Sequence, residues 1–385
     1  PNKIDLILIS ILSIPILLIN FKFNVIGHKD EIAYLLRQIG FHTFSGRFFP
    51  LGHQEFNLIN LPKVGGNIYF LHFIPLFQFL SSALLLKNSL SKYSKIIAPL
   101  LTLPIMYMVL IPFINLIVPE RNILFLMIIF LYFSQYIWSK YTKISLLFCI
   151  CIASISLYYK EPMFLFWASG SLAFLFNYIL GIRREEFHKD IKLANQPEII
   201  FSIATLFSSI IFIVSYSIFY KLFPTDNVYM DKSLVLSFKS IIQSIQPYIF
   251  DIPLIPILLI GLIISFLIPR EEIKARFILS IFNAGGLAYV IGASYLALNF
   301  NGYYFSIPII CILISSSYLI IFFVKSFSIN DHKIGSLSFR KFISFSTLIF
   351  IISFTIKIIS LQYQPILQDI YLRGHIQSEF NEISK

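Results

Sequence analysis

The chain has 385 residues, 57% of them apolar and only 13% charged. A soluble domain would leave much of that apolar surface in water, so the composition excludes soluble enzymes and points to an all-α, polytopic membrane protein. The apolar runs are continuous rather than alternating, which excludes a β-barrel. The net charge of +11 sits mostly in short connections, where the positive-inside rule accounts for it without nucleic acid.

In chain order, eleven apolar segments are expected near 5–20, 67–86, 96–118, 122–138, 144–158, 163–181, 198–220, 252–268, 277–297, 304–324 and 342–361. The first has no small-residue cleavage site and reads as a retained helix. Pro75, Pro99, Pro104, Pro112 and Pro308 are expected to kink helices or mark their ends. Phe is abundant (42) and Gly modest (15), which predicts packing through bulky side chains with few close small-residue crossings. Cys149, Cys151 and Cys311 all fall in apolar spans and form neither a disulfide framework nor a ligand set.

One set of loops carries Lys3, then Lys87, Lys92 and Lys95, then Lys140 and Lys143, with similar clusters around Arg183, Arg276 and Arg340. These short loops hold 17 of the 30 basic residues, which predicts a cytoplasmic N-terminus. The long first loop (21–66) then faces outward, and so does a tail over 362–385. Residues 1–361 read as one membrane domain without internal repeats. Two outer stretches are expected to lie along the membrane as amphipathic helices. In 31–44, Ile32, Leu35, Leu36 and Ile39 share a face; in 233–246, Leu234, Phe238, Ile241 and Ile245 do.

The first loop concentrates ionisable groups. It contains Gly27-His28-Lys29-Asp30-Glu31, then Gly46-Arg47-Phe48-Phe49-Pro50, then His53 and Glu55, and holds three of the seven histidines. Asp30 suits a helix N-cap, with Glu31 complementing the dipole; the same position suits a general base for an acceptor hydroxyl. Three further outer corners are polar or aromatic: Pro119-Glu120-Arg121-Asn122, Tyr158-Tyr159-Lys160-Glu161-Pro162, and Asn301-Gly302-Tyr303-Tyr304. Singly, each reads as an interfacial ion pair or aromatic belt. Together, Arg47, His53, Glu55, Glu120, Arg121, Lys160, Glu161, Tyr303 and Tyr304 are expected to line one outward-facing substrate cavity, with Arg121 and Lys160 available to a phosphate. The histidine spacings of 14 and 11 match no zinc motif, so no metal ligand set is assigned. A divalent cation on Asp30, Glu31 or Glu55 stays open.

This arrangement resembles the GT-C superfamily of membrane glycosyltransferases, which place an acidic motif in a long outer loop after the first helix. His28-Lys29-Asp30-Glu31 is similar to the His-Pro-Asp-Glu of the mannosyltransferases that build GPI and dolichol-linked glycans, with Lys29 in place of proline. The resemblance implies a polyprenyl-phosphate-linked sugar as donor and an envelope glycan, lipid or protein as acceptor. It implies catalysis by Asp30 and Glu31, with Arg47, Arg121 or Lys160 on the phosphate, at the outer face of a bacterial cytoplasmic membrane. A polymerase or ligase using polyprenyl-diphosphate glycans is the alternative enzyme. A flippase or transporter is the alternative outside catalysis, and it is disfavoured because charges cluster at span ends.

Overall fold

The computed structural model describes residues 3–22, 48, 50–52, 54–55, 57, 68–91, 95, 97–114, 119–137, 142–182, 196–222, 245–246, 248–249, 253–268, 273–296 and 305–329. All regular structure among them is helical. The helices are α1 (Lys3–Ile16, continuing as a π-helical stretch Leu17–Lys22), α2 (Ile68–Ser91), α3 (Ile97–Met108), α4 (Ile111–Ile114), α5 (Glu120–Ile137) and α6 (Thr142–Leu157). They continue with α7 (Met163–Ile182), α8 (Pro197–Leu222), α9 (Leu254–Leu267), α10 (Ile273–Leu296) and α11 (Ser306–Ile329). Helix occupies ten of the eleven expected apolar segments. The last, 342–361, lies outside the described residues, as do the amphipathic stretch 31–44 and most of 233–246. Four helices, α2, α7, α8 and α10, are long and apolar enough to cross a membrane.

α8 shows what solvent the bundle is built for. Its buried residues include Glu198, Ser202, Thr205 and Ser209, whereas Ile203, Phe207, Ile210 and Val214 are exposed at helical spacing. Water would reverse that pattern; lipid favours it, because hydroxyls gain partners only inside the bundle. Ser171 and Thr205 hydroxyls meet at 2.7 Å, and Ser154 and Ser208 at 2.9 Å, which ties α8 to both α7 and α6.

Proline positions explain the interruptions. Pro15 has no N–H for the Ile11 carbonyl, and the Tyr107 hydroxyl of α3 donates to that oxygen at 3.4 Å. The π-helical stretch begins two residues after Pro15. The expected 96–118 segment breaks at Val109–Leu110, just before Pro112, where the missing N–H ends the α3 ladder. Pro75 and Pro104 are accommodated inside α2 and α3.

α10 is mostly buried and packs on α7, α9 and α11, while α11 also reaches back to α3 and α5. Aromatic rings fill the interior. Phe130 of α5 touches Trp167, Phe201, Phe277 and Phe282 at centroid separations of 5.0, 5.1, 6.4 and 6.2 Å. The Trp167 indole N–H donates to the Ser156 hydroxyl at 2.6 Å. Small residues set one of the crossings. A Cβ on Gly170 would lie 2.8 Å from the Ile281 carbonyl oxygen, and one on Gly285 would lie 2.8 Å from Phe166. The α7–α10 crossing, the most extensive in the bundle, is therefore made close by glycines, which composition hides because so few are needed.

Buried charge elsewhere sits at the opposite end from the first loop. Lys87 pairs with Asp5, joining α2 to α1, and Arg276 of α10 donates to the Asn177 side chain of α7. Asn177 in turn donates to the Ser265 carbonyl of α9 at 3.0 Å.

The glycine crossing gives a stability prediction. Gly170→Ala forces backbone against backbone and should cost about 1–3 kcal/mol, read as a lower thermal midpoint in nanodiscs. Gly292→Ala meets only the end of the Leu165 side chain, which can turn aside, and should cost clearly less. Equal losses would show that the crossing is not set by backbone approach.

Candidate functional site

The first-loop end of the bundle gathers the starts of α2, α5 and α7 and the end of α6. Pro119 precedes α5, and its carbonyl accepts from the backbone N–H groups of Asn122 (3.0 Å) and Ile123 (3.3 Å). This places Glu120 and Arg121 in the first turn, where the free N–H groups favour a carboxylate. α6 closes with tightened bonds from Tyr158 to Ile155 and from Tyr159 to Ser156. α7 opens with Met163 donating to the Lys160 carbonyl and Phe164 to that of Glu161. Lys160 and Glu161 are thus held in a turn only a few residues long.

A short piece of the first loop docks on these corners. Leu51 donates its backbone N–H to the Tyr158 carbonyl at 3.1 Å. Phe48 packs against Tyr158, Phe212, Tyr216 and Phe219, the last at a centroid distance of 5.0 Å. Gln54 and Asn57 bond locally, with Gln54 Nε2 reaching the Pro50 carbonyl at 2.8 Å and Asn57 Nδ2 reaching Gln54 Oε1 at 2.8 Å. They form the turn that presents Glu55.

The Glu55 carboxylate accepts from the Arg121 guanidinium and, at 3.2 Å, from Asn122 Nδ2 on the same oxygen. Asn122 Oδ1 accepts from Gln78 Nε2 of α2 at 2.8 Å, which fixes the amide so that its NH₂ faces Glu55. Alongside, Lys160 Nζ lies 2.9 Å from Glu120 Oε1. Glu120 is fully buried, and Arg121, Lys160 and Glu161 are nearly so (1%, 5% and 6% exposed). Three carboxylates and two cations therefore share one desolvated corner, where neither sign is stable without the other. The Tyr159 phenol belongs to the same corner. Burial raises its pKa first, the Glu55 charge raises it further, and Arg121 partly opposes both.

Of the residues expected from sequence, Glu55, Glu120, Arg121 and Lys160 come together through direct bonds, and Glu161 is buried beside Lys160. Asp30, Glu31, Arg47, His53, Tyr303 and Tyr304 lie outside the described residues. Sequence reading passed over Gln78, and it named Asn122 and Tyr159 within their corners without giving either a place in the cavity. Gln78 was visible as a lone amide in an apolar run, but its role depends on α5 lying alongside. His72, one turn into α2, is also wholly buried. Among the described residues no group of three or more His, Cys, Asp or Glu side chains is arranged to hold a metal ion.

This arrangement can hold an oxyanion. The Arg121 guanidinium and the Asn122 amide meet on one carboxylate oxygen, beside the buried Lys160–Glu120 pair, where charge-assisted bonds are strong.

Removing one ion tests whether the corner is coupled. Lys160→Met leaves Glu120 buried without its counter-charge and should cost about 3–5 kcal/mol, whereas Lys160→Met with Glu120→Gln should recover most of the thermal midpoint. Equal midpoints for the two variants would show that the pair is independent. The raised Tyr159 pKa has its own signature. Its stabilisation is complete below the ordinary tyrosine value of about 10 and is lost as pH rises through the raised one. Tyr159→Phe should therefore flatten the alkaline decline of the midpoint, and an unchanged slope would remove Tyr159 from it.

No protein-family model, curated protein or solved structure matches this chain, so the reading of the site rests on its chemistry alone.

Proposed function

We propose that this protein is an integral-membrane glycosyltransferase of the GT-C type. It moves a sugar from a polyprenyl-phosphate carrier to an envelope glycan, lipid or protein acceptor at the extracytoplasmic face of a bacterial cytoplasmic membrane. The supporting observation is the docking of the first loop, through Glu55, onto the buried Arg121 corner. It joins the loop that bears Asp30 and Glu31 to the helix starts that offer cations. In this reading eleven spans cross the membrane, with the N-terminus cytoplasmic.

The donor's phosphate lies at Arg121 and Lys160, with Arg47 available from the loop, and its prenyl chain lies along the lipid-facing helices. The Asp30 carboxylate, with Glu31 second, takes the proton from the acceptor hydroxyl. The acceptor oxygen bonds to the anomeric carbon as the bond from that carbon to the phosphate oxygen breaks. The electron pair leaves with the phosphate, where the cations stabilise it. Attack opposite the leaving group inverts the anomeric configuration. Among the described residues every charged side chain lies near an end of its helix or in a connection, which favours a site at the surface over a charged pathway through the span.

Membranes carrying wild type or Asp30→Asn/Glu31→Gln, supplied with radiolabelled polyprenyl-phosphate sugars, decide the matter. The double variant should transfer about 10²–10⁴-fold less label at equal expression, the usual worth of a general base. Equal transfer by both would move the catalytic centre elsewhere, and absence of transfer with any donor would overturn the reading.

A further inference from the structure

We propose that Glu55 is a placeholder for the donor's phosphate: its carboxylate occupies the Arg121–Asn122 donor pair in the free protein, and an incoming lipid phosphate replaces it. This rests on the glycosyltransferase reading above and assigns the order of events at the same site.

The three carboxylates of the corner are not equivalent. Glu120 is the first residue of α5, and Glu161 sits in the tight turn before α7, so both are fixed by helices. Glu55 instead lies in the docked piece of the first loop and reaches α5 through its carboxylate. The donors it occupies suit a phosphate equally well. Arg121 supplies charge, and the Asn122 amide, turned by Gln78 at 2.8 Å, aims its NH₂ at the same acceptor position.

Charge makes exchange the favoured route. Arg121 and Asn122 already give donors to one Glu55 oxygen, so a phosphate oxygen at that position takes the place of the carboxylate. A glycosyl phosphodiester is a monoanion, so its entry with the departure of Glu55 leaves the local charge unchanged. Phe48, in its cluster with Tyr158, Phe212 and Phe219, holds this piece of the loop on the bundle. After transfer, Glu55 competes with the phosphate product for Arg121 and helps to expel it.

The test is binding, measured on the full chain in phosphatidylcholine nanodiscs with polyprenyl monophosphate, and with unphosphorylated polyprenol and inorganic phosphate as controls. If the Glu55-bound state dominates by about tenfold or more, apparent affinity is reduced by that factor, and Glu55→Gln should tighten polyprenyl phosphate by the same amount. Arg121→Gln should weaken it, and polyprenol should respond to neither change. Equal tightening for inorganic phosphate supports the exchange and assigns recognition to the phosphate alone. Maleimide labelling of Asn57→Cys, which keeps Glu55 and the Gln54–Pro50 bond of its turn, should rise when polyprenyl phosphate is added, which reads the displacement without removing the carboxylate. Binding by wild type with no gain in Glu55→Gln and no change in labelling overturns the exchange and leaves the glycosyltransferase reading standing. No binding by folded wild type or Glu55→Gln overturns both.

Discussion

Lipid offers no hydrogen-bond partner, and the whole bundle is arranged around that fact. Each polar group that leaves water must find its partner within the protein or carry a cost of several kcal/mol. α8 obeys this by turning Ser202, Thr205 and Ser209 inward and Ile203, Phe207 and Ile210 outward. α1 obeys it by lending the orphaned Ile11 carbonyl to Tyr107. The serine contacts Ser171–Thr205 and Ser154–Ser208 serve as interhelical ties for the same reason.

The same constraint sorts the charges into two bands. At one end Lys87 with Asp5 fastens α2 to α1, and Arg276 with Asn177 fastens α10 to α7, where Asn177 also reaches the Ser265 carbonyl of α9. At the other end two ion pairs, Arg121–Glu55 and Lys160–Glu120, stem from adjacent residues of α5. Fully packed apolar residues would stabilise that corner as well or better, since burying ions consumes most of what their attraction returns. Its presence is therefore better understood through what such ions can bind than through stability. Burial of Glu120, Arg121, Lys160 and Glu161 raises the strength of the charge–charge interactions among them.

The close α7–α10 crossing connects the two bands. Gly170 and Gly285 allow the backbones to approach, and Gly292 lets the far end of α10 lie against Pro162 and Leu165, directly beneath the Lys160–Glu161 turn. That turn carries Lys160, which pairs with Glu120, so the charged corner leans on a crossing set by small residues. Phe130, Trp167 and Phe201 fill the neighbouring volume and hold α5 in register with α7 and α8.

By itself the sequence determined the class of the fold and the places where chemistry gathers. Continuous apolar runs locate helices because one residue type after another is excluded from water, a property that needs no knowledge of neighbours. Charges at the ends of those runs, such as Glu120, Arg121 and Lys160, were legible for the same reason. Which of them meet was not, because Glu55 and Arg121 are 66 residues apart and nothing local encodes their contact. The glycine crossing was equally hidden, since its meaning lies in the backbone atoms of Ile281 and not in Gly170 itself. Partners, pairings and the orientation of Asn122 by Gln78 were decided only when the helices packed, because desolvation and hydrogen-bond geometry exist between elements and not within them.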